Sequence, residues 1–187
     1  MTTFMQDAAP LLRETPTILR ERQRALVRAG LLAAQPGRGR GSGVIASPTT
    51  VATLLISMMG GSALADAPEA TKNFASAVSL GDCALTEKKT FGDALASLLA
   101  DPALAKRVND VEVQVGAGVA LIRFDGTEGE IALPGAKKNK AKVTRRPDVS
   151  AFVAKVASGS AFQTTVSITG DTVRAIADLV ATLEAEG

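Results

Sequence analysis

The sequence contains no histidine, tryptophan or tyrosine, and Cys83 is its single cysteine among 187 residues. The absence of histidine excludes Ser–His and Cys–His nucleophilic pairs and most zinc sites. A lone cysteine excludes a disulfide within the chain, and with no activating base beside it we expect a small, unreactive thiol. The sequence therefore predicts no catalytic residue, no metal site and no cofactor, and we expect a protein that is not an enzyme.

Long hydrophobic runs are also scarce. Residues 41–65 form one stretch of 25 residues without a charge, which is long enough to cross a bilayer. Pro48, Gly60 and Gly61 interrupt this stretch, and serine and threonine recur through it, so a buried helix is the favoured interpretation. The first ten residues lack a basic start followed by an apolar run, so we expect no signal peptide. These features predict a cytoplasmic protein with no membrane partner.

Alanine, by contrast, is abundant, with 33 copies, while hydrophobic residues make up 46% of the chain and charged residues 21%. These proportions are typical of a soluble globular protein. Six phenylalanines are the only aromatic residues, so we expect a core of small aliphatic side chains.

Positive charge is concentrated in two places, although the net charge is only +2. Residues 11–47 contain seven arginines against two glutamates, and residues 137–146 carry a charge of +6 without any acid, which leaves the rest of the chain at −9. Such asymmetry indicates a polyanionic partner. The second cluster stands among small and polar residues and predicts a loop that either solubilises the chain or makes a secondary nucleic-acid contact. Its basic residues are Lys137, Lys138, Lys140, Lys142, Arg145 and Arg146.

The first arginine cluster coincides with a helical pattern. Thr15 and Pro16 form a typical helix start and Gly30 a typical stop, so we predict a helix over residues 16–29. Its basic face carries Arg20, Arg24 and Arg28, and its predicted buried arc consists of Ile18, Leu19, Ala25, Leu26 and Ala29. Arg22 falls inside this arc, and we expect its charged end to reach water along an apolar stem.

A glycine-rich turn follows this helix. Residues 35–43 separate short apolar stretches at 31–32 and 44–46, which predicts a hairpin. The tip of the hairpin carries Arg38, Arg40 and Ser42. The Ser47-Pro48 pair then repeats the helix start, and the next helix is predicted to extend to about Met59.

The remainder of the chain alternates helical and strand patterns. Helices are predicted over 90–99, 101–108, 149–156 and 171–183, the last capped by Asp171. Residues 111–133 predict a three-stranded meander with its second turn at Asp125-Gly126, and residues 162–168 predict a further strand. The weakly patterned connector over 60–73 contains the predicted boundary between a first domain at 1–65 and an α+β domain at 75–187.

The order of elements in the first domain resembles the latter part of a winged helix-turn-helix domain. The basic helix is followed by Gly30-Leu31-Leu32, by Arg38-Gly-Arg40-Gly and by a helix with Leu54-Leu55, and residues 15–59 are similar to the N-terminal module of MerR-type regulators. The resemblance implies a mainly α first domain with a recognition helix and a wing, and we expect a small antiparallel sheet packed with helices after it. The implied DNA contacts are Thr17, Arg20, Arg24, Arg28, Arg38, Arg40 and Ser42.

The same residues have a physical reason to bind DNA. A helix fits the major groove, where arginine can bind guanine through two hydrogen bonds, and a hairpin tip can reach phosphates or the minor groove. In the alternative interpretation, the arginines form a solvated helix face and the glycine-rich turn is a linker. A phosphate-binding nucleotide loop is disfavoured, because the turn follows a helix and lacks the required lysine.

The favoured function is that of a sequence-specific transcriptional regulator of bacterial or phage origin that binds double-stranded DNA. We expect the second domain to bind a partner protein or to form a homo-oligomer, with a dimer built after Asn73 through the meander and the last helix, since specific sites are commonly bound by symmetric pairs. Two alternatives stay open: a DNA-handling structural protein, such as a phage packaging or partition factor, and a protein-interaction module that binds no DNA.

Overall fold

A computed structural model describes residues 1–34, 43–61, 63–79, 83–125, 149–155 and 164–185. Within these ranges the chain is a mixed α/β protein with seven helices and five strands. The helices are α1 (Thr2–Leu11), α2 (Pro16–Arg28), α3 (Pro48–Gly60), α4 (Ala67–Ala75), α5 (Phe91–Ala100), α6 (Pro102–Ala105) and α7 (Gly170–Ala185). The strands are β1 (Val78–Ser79), β2 (Val108–Gln114), β3 (Val119–Asp125), β4 (Val149–Lys155) and β5 (Thr165–Thr169).

Hydroxyl side chains cap three of the helices, two of them at the helix starts that the sequence predicts. Thr15, Ser47 and Thr90 accept hydrogen bonds from backbone N–H groups in the first turns of α2, α3 and α5. Prolines occupy the first turns of α2 and α3, where the missing N–H has no partner to lose. Gly30 follows the end of α2 with a φ of +73°, a left-handed conformation that favours glycine. The three predicted helices are therefore confirmed, with ends that differ by a residue or so.

All described strand pairs are antiparallel, and the strand order in the sheet is β1-β4-β3-β2-β5. The β2–β3 hairpin confirms the first two strands of the predicted meander. On its other side β3 pairs with β4 along its whole length, from Asp125 opposite Val149 to Val119 opposite Lys155. The predicted third strand, at 128–133, lies outside the described residues, yet both sides of β3 are already occupied. The predicted strand order of the meander is therefore wrong.

The helix predicted over 149–156 is also wrong, since residues 149–155 form β4. A short run of apolar residues fits a helix and a buried strand almost equally well. Pairing with β3 decided the outcome, because it satisfies backbone N–H and C=O groups of both strands.

Three smaller features differ from the sequence prediction. The connector over 60–73 contains most of helix α4, whose buried residues are Ala67, Thr71 and Phe74. Val108 begins β2 and does not continue the short helix α6. At the start of α7, Thr169 and not Asp171 provides the cap, since the Thr169 Oγ1 accepts a hydrogen bond from the Thr172 N–H at 3.4 Å.

One buried cluster runs through both predicted domains. It includes Phe4 of α1, Leu55 of α3, Val111 of β2 and Val180 of α7. α3 packs against α4 and α5, and α7 packs against α1, α5 and β2. The division of the chain near residues 65–75 stays a prediction, and side chains from both parts share this core.

The last helix does not offer its apolar face to a partner. Its apolar stripe is buried against the chain's own core and consists of Val173, Ile176, Ala177 and Val180. Val111 and Val113 of β2 are buried in the same cluster. These residues of α7 and β2 are therefore not available to a partner, while residues 126–133 of the predicted meander lie outside the described residues and oligomerisation stays a prediction.

Arg22 joins helix α2 to helix α3. Its Nη1 donates a hydrogen bond to the Ser57 carbonyl at 2.5 Å, and its Nη2 donates one to the Gly61 carbonyl at 2.9 Å. These carbonyls belong to the C-terminal end of α3, where helix carbonyls lack intrahelical partners and the helix dipole favours a cation. Burial lowers the pKa of the Arg22 guanidinium, and the charge of Glu14 opposes that effect. The half-buried side chain therefore caps α3, a role that the expectation of a charged end in water did not include.

Replacement of Arg22 should destabilise the fold. Arg22→Ala leaves the two carbonyls without their charged donor, and we expect a loss of about 1.5–3 kcal/mol in the free energy of unfolding. Arg22→Lys keeps the charge but not the planar pair of donors, so its loss should be smaller. Urea denaturation measures both, with Arg24→Ala, at an exposed position of the same helix, as the matched control. Equal stability of Arg22→Ala and the parent protein would contradict the capping role.

A charged cluster spans β2 and β3. The Arg123 Nη1 lies 2.7 Å from the Asp110 Oδ1, and its Nη2 lies 2.7 Å from the Glu112 Oε2. The Gln114 Nε2 donates a hydrogen bond to the Glu112 Oε1 at 2.5 Å. The bond from Gln114, together with the bond and charge of Arg123, lowers the pKa of Glu112 below its ordinary value of 4.5, while burial acts in the opposite direction.

The lowered pKa of Glu112 predicts a pH-dependent contribution to stability. Because the folded state favours the charged carboxylate, this contribution is complete above the unfolded pKa and is lost as the pH falls through the lower folded pKa. We therefore expect the free-energy difference between the parent and Glu112→Gln, measured by urea unfolding, to shrink between about pH 6 and about pH 3. Glu69→Gln, at an exposed position of α4, controls for removal of one carboxylate. A difference that stays constant over this range would contradict the assignment.

Candidate nucleic-acid interface

Two helices joined by a short connection position the basic residues near the start of the chain. Residues 12–15 link α1 to α2, with Arg13 in a left-handed conformation at a φ of +54° and Thr15 as the cap of α2. Pro10 lies in the last turn of α1, and the helix continues to Leu11. The helix that precedes α2 is therefore intact despite its proline.

Helix α2 exposes one basic face. Thr17, Arg24 and Arg28 are exposed, and at 100° per residue they lie within about 40° of one another around the helix axis. Arg20 is half-buried and Glu21 is exposed, on either side of these three residues. The buried residues of α2 are Leu19, Gln23, Ala25 and Leu26. The four DNA-contact residues predicted on this helix thus lie on one side of it.

The buried side of α2 is rotated relative to the sequence prediction. Ile18 is 38% exposed and Ala29 is exposed, although both were expected in the apolar arc; Gln23 is buried in their place. Arg22 remains on the buried side of the helix, where it bonds to the end of α3. This rotation leaves the arginine stripe facing away from the core.

The positive charge of this face is not neutralised by ion pairs. Among the described residues, the salt bridges belong to Arg123 and Arg174. The Nε of Arg28 donates a long hydrogen bond of 3.3 Å to the Arg24 carbonyl on the same helix, so its terminal nitrogens remain available to a ligand. With Glu21 as the single acid beside three arginines, the face carries a net charge of +2.

An open groove of about 550 Å³ runs beside the basic face. Its walls come from α2 and from the connection between α3 and α4, and its lining residues are Glu21, Arg24, Val27, Arg28 and Leu64. Leu64 is 38% exposed in this groove. Glu21, Val27 and Leu64 are lining residues that no pattern in the sequence marks as part of a site. No local pattern connects Leu64 to a helix that ends 36 positions earlier.

The predicted wing lies largely outside the described residues, including Arg38, Arg40 and Ser42. The chain on either side of it is anchored: Leu32, Val44 and Ala46 are buried, and the Leu31 N–H donates to the Leu26 carbonyl at the end of α2. Neither 31–34 nor 44–47 forms a strand. The hairpin itself stays a prediction, with both of its ends packed on the core.

The second basic cluster, from Lys137 to Arg146, also lies outside the described residues, and its role stays a prediction. Cys83 is buried and forms no disulfide, and its lack of reactivity stays a prediction. Within the described ranges, no helix combines the length and apolar character needed to span a membrane. The uncharged stretch over 41–65 contributes the 13-residue helix α3 to the core.

Comparison with known proteins found no matching family model, no matching curated protein and no matching solved structure. The function must therefore be inferred from the geometry and charge of the chain itself.

Proposed function

We propose that the protein binds double-stranded DNA through the exposed basic face of α2 and acts as a sequence-specific transcriptional regulator of the winged helix-turn-helix type. The observation that carries this proposal is the separation of the two sides of α2. Arg20, Arg24 and Arg28 lie on one side and form no ion pair with any described residue, and the other side is fixed in the core. The short link between α1 and α2 supports the helix-turn-helix interpretation.

The chemistry of the exposed face suits the major groove. A helix fits this groove, and an arginine can bind the O6 and N7 of guanine through two hydrogen bonds. Thr17 lies in the first turn of α2, where unpaired backbone N–H groups and the helix dipole favour a phosphate. Glu21 can accept a hydrogen bond from the amino group of cytosine. The face therefore combines groups that position the helix with groups that read bases.

Rigid support makes this face suitable for recognition. Leu19 and Leu26 are fully buried, and Arg22 ties α2 to the end of α3. A helix that is held in this way loses little conformational freedom when it binds, which favours affinity. The predicted wing begins directly after α2, and the residues on both sides of it are buried, which supports a role for Arg38 and Arg40 in contacts with the backbone or minor groove.

The groove beside α2 favours a second candidate function, a module that binds an acidic protein segment. Val27 and Leu64 offer apolar surface, and Arg24 and Arg28 lie at the same groove. A short acidic peptide with one aliphatic side chain would match both features. DNA binding is preferred because Thr17 and Arg20 extend the basic face beyond the groove.

The arginines of α2 should determine DNA affinity. On a site selected from genomic fragments, Arg24→Ala and Arg28→Ala should each cost about 1–3 kcal/mol in binding free energy if they read bases, with stability in urea nearly unchanged. Fluorescence anisotropy measures the affinity, and Lys106→Ala, at an exposed position far along the chain, is the matched control. Unchanged affinity in single alanine variants of all three arginines would refute the recognition-helix assignment. Equal affinity of the parent for every duplex would instead indicate a DNA-handling structural protein.

The predicted wing should act through electrostatics. The double replacement Arg38→Ala/Arg40→Ala should weaken binding to specific and random duplexes alike, because backbone contacts carry no sequence information. The slope of log affinity against log salt should flatten by about one to two units. Lys88→Ala/Lys89→Ala removes the same charge at exposed positions elsewhere and should leave the slope unchanged. Identical slopes for the wing variant and the parent would show that the hairpin does not contact DNA.

A further inference from the structure

Strand β5 forms one edge of the sheet. It pairs with β2 on one side, and in the described part of the chain no strand pairs with its other side. Natural edge strands are commonly protected by charge, proline, a bulge or very short length. β5 spans the five residues Thr165–Thr169 without a charge or a proline, whereas the opposite edge strand, β1, spans only two residues. β5 is therefore the edge that is chemically suited to accept another strand.

The hydrogen-bond pattern shows which residues of β5 face outward. The Val115 N–H donates to the Thr164 carbonyl at 2.8 Å, and antiparallel pairs alternate between bonded and non-bonded positions. Residues 164, 166 and 168 therefore direct their backbone groups toward β2. Thr165, Ser167 and Thr169 direct theirs toward the open edge, and the side chains of all three are exposed.

The sequence of β5 is complementary to itself. Around Ser167 the order of side chains is nearly the same in both directions, with Val166 and Ile168 next to it and threonines at both ends. If two copies pair antiparallel about Ser167, each Thr165 opposes Thr169 of the second copy, and each Val166 opposes Ile168. Threonine pairs and pairs of β-branched residues stabilise adjacent strands. The outward-facing residues also fall opposite one another in this register, as the hydrogen bonds require.

A groove of about 380 Å³ lies beside this edge, and Val166, Ser167, Ile168 and Thr169 of β5 contribute to its lining. Leu11, Leu12 and Met58 are among its apolar lining residues. Its two charged residues, Arg13 and Glu14, have opposite signs. The groove therefore has no net charge, and two copies of it would not repel each other. Both features favour a second copy of this chain as the occupant of the edge.

We propose that two copies of the protein associate through antiparallel pairing of their β5 strands, with a two-fold axis at Ser167. The pairing joins two five-stranded sheets into one continuous ten-stranded sheet, and its symmetric geometry is that of the commonest oligomers. The proposal is independent of DNA binding. It places the interface at β5 and not at the apolar faces of β2 and α7, which the core has already buried.

Sedimentation of the full chain at tens of micromolar tests the association. The parent should sediment as a dimer. Ser167→Pro removes an N–H that faces away from β2, so it should block pairing, leave the sheet intact and shift the protein to monomer. Ser167→Thr keeps the N–H and should remain dimeric, and circular dichroism should report the same fold in all three proteins. A monomeric parent, or a dimer that persists unchanged in Ser167→Pro, would overturn the proposal.

A charged residue at the two-fold axis gives a second test of the pairing, without a proline substitution. Ser167→Lys places two lysines opposite each other in the paired strands, and like charges there oppose association. Ala181→Lys adds the same charge at an exposed position of α7 and should sediment as the parent does. Equal dimer fractions for the two lysine variants would overturn the pairing.

Cysteine cross-linking tests the register. In the proposed dimer the two copies of residue 167 face each other at about 5.5 Å between Cα atoms, within the span of a disulfide. The two copies of residue 165 lie about 14 Å apart along the strands, beyond that span. Ser167→Cys should therefore form a linked dimer on mild oxidation and Thr165→Cys should not, while Cys83 is buried. Linking of Thr165→Cys alone, or of both variants equally, would overturn the two-fold axis at Ser167.

Discussion

The guanidinium of Arg22 connects the proposed DNA-binding helix to the core. Its two nitrogens bind the carbonyls of Ser57 and Gly61 at the end of α3, where an α-helix leaves backbone acceptors without partners. α3 is in turn buried between α2, α4 and α5. One charged side chain therefore satisfies a helix terminus and ties α2 to α3.

The rotation of α2 about its own axis decides which of its residues face solvent. Leu19 and Leu26 pack inward, Gln23 replaces Ile18 in the buried set, and Thr17, Arg24 and Arg28 face out together. Burial of an arginine in an apolar arc costs free energy unless its N–H donors form hydrogen bonds. Here the donors of Arg22 bond to backbone carbonyls. The number of arginines in the first cluster thus overstates the charge available to a ligand, because one of them is committed to the fold.

The sheet has two edges of different character. β1 is a two-residue strand, too short to serve as a template for another chain. β5 is longer, uncharged and rich in β-branched residues, and its outward backbone groups have the alternation that pairing requires. Between these edges, β3 and β2 bury Val111, Val113 and Ile122 against the helices. An associated pair built at β5 would leave the basic face of α2 and the shared core of each copy unchanged.

Local chemistry in the sequence determined where several elements begin and end. Thr15, Ser47 and Thr90 are hydroxyl caps, and Gly30 has the left-handed conformation that ends α2. These signals act over a few residues, so they can be recognised without the fold. The alternation of Val111 and Val113 in β2 was equally informative, because a half-buried strand has a period of two.

Only the tertiary structure decided the features that depend on distant partners. β4 is a strand because β3 offers it an edge, although its residues also fit a helix. The role of Arg22 depends on carbonyls 35 and 39 positions away, and Leu64 reaches the groove of α2 through the packing of α3 and α4. The predicted apolar stripe of α7 is present. The sequence could not show, however, whether this stripe packs on the chain's own core or on a partner. Hydrophobic burial is non-directional, so a pattern identifies the side that is buried, and only the fold identifies the surface that buries it.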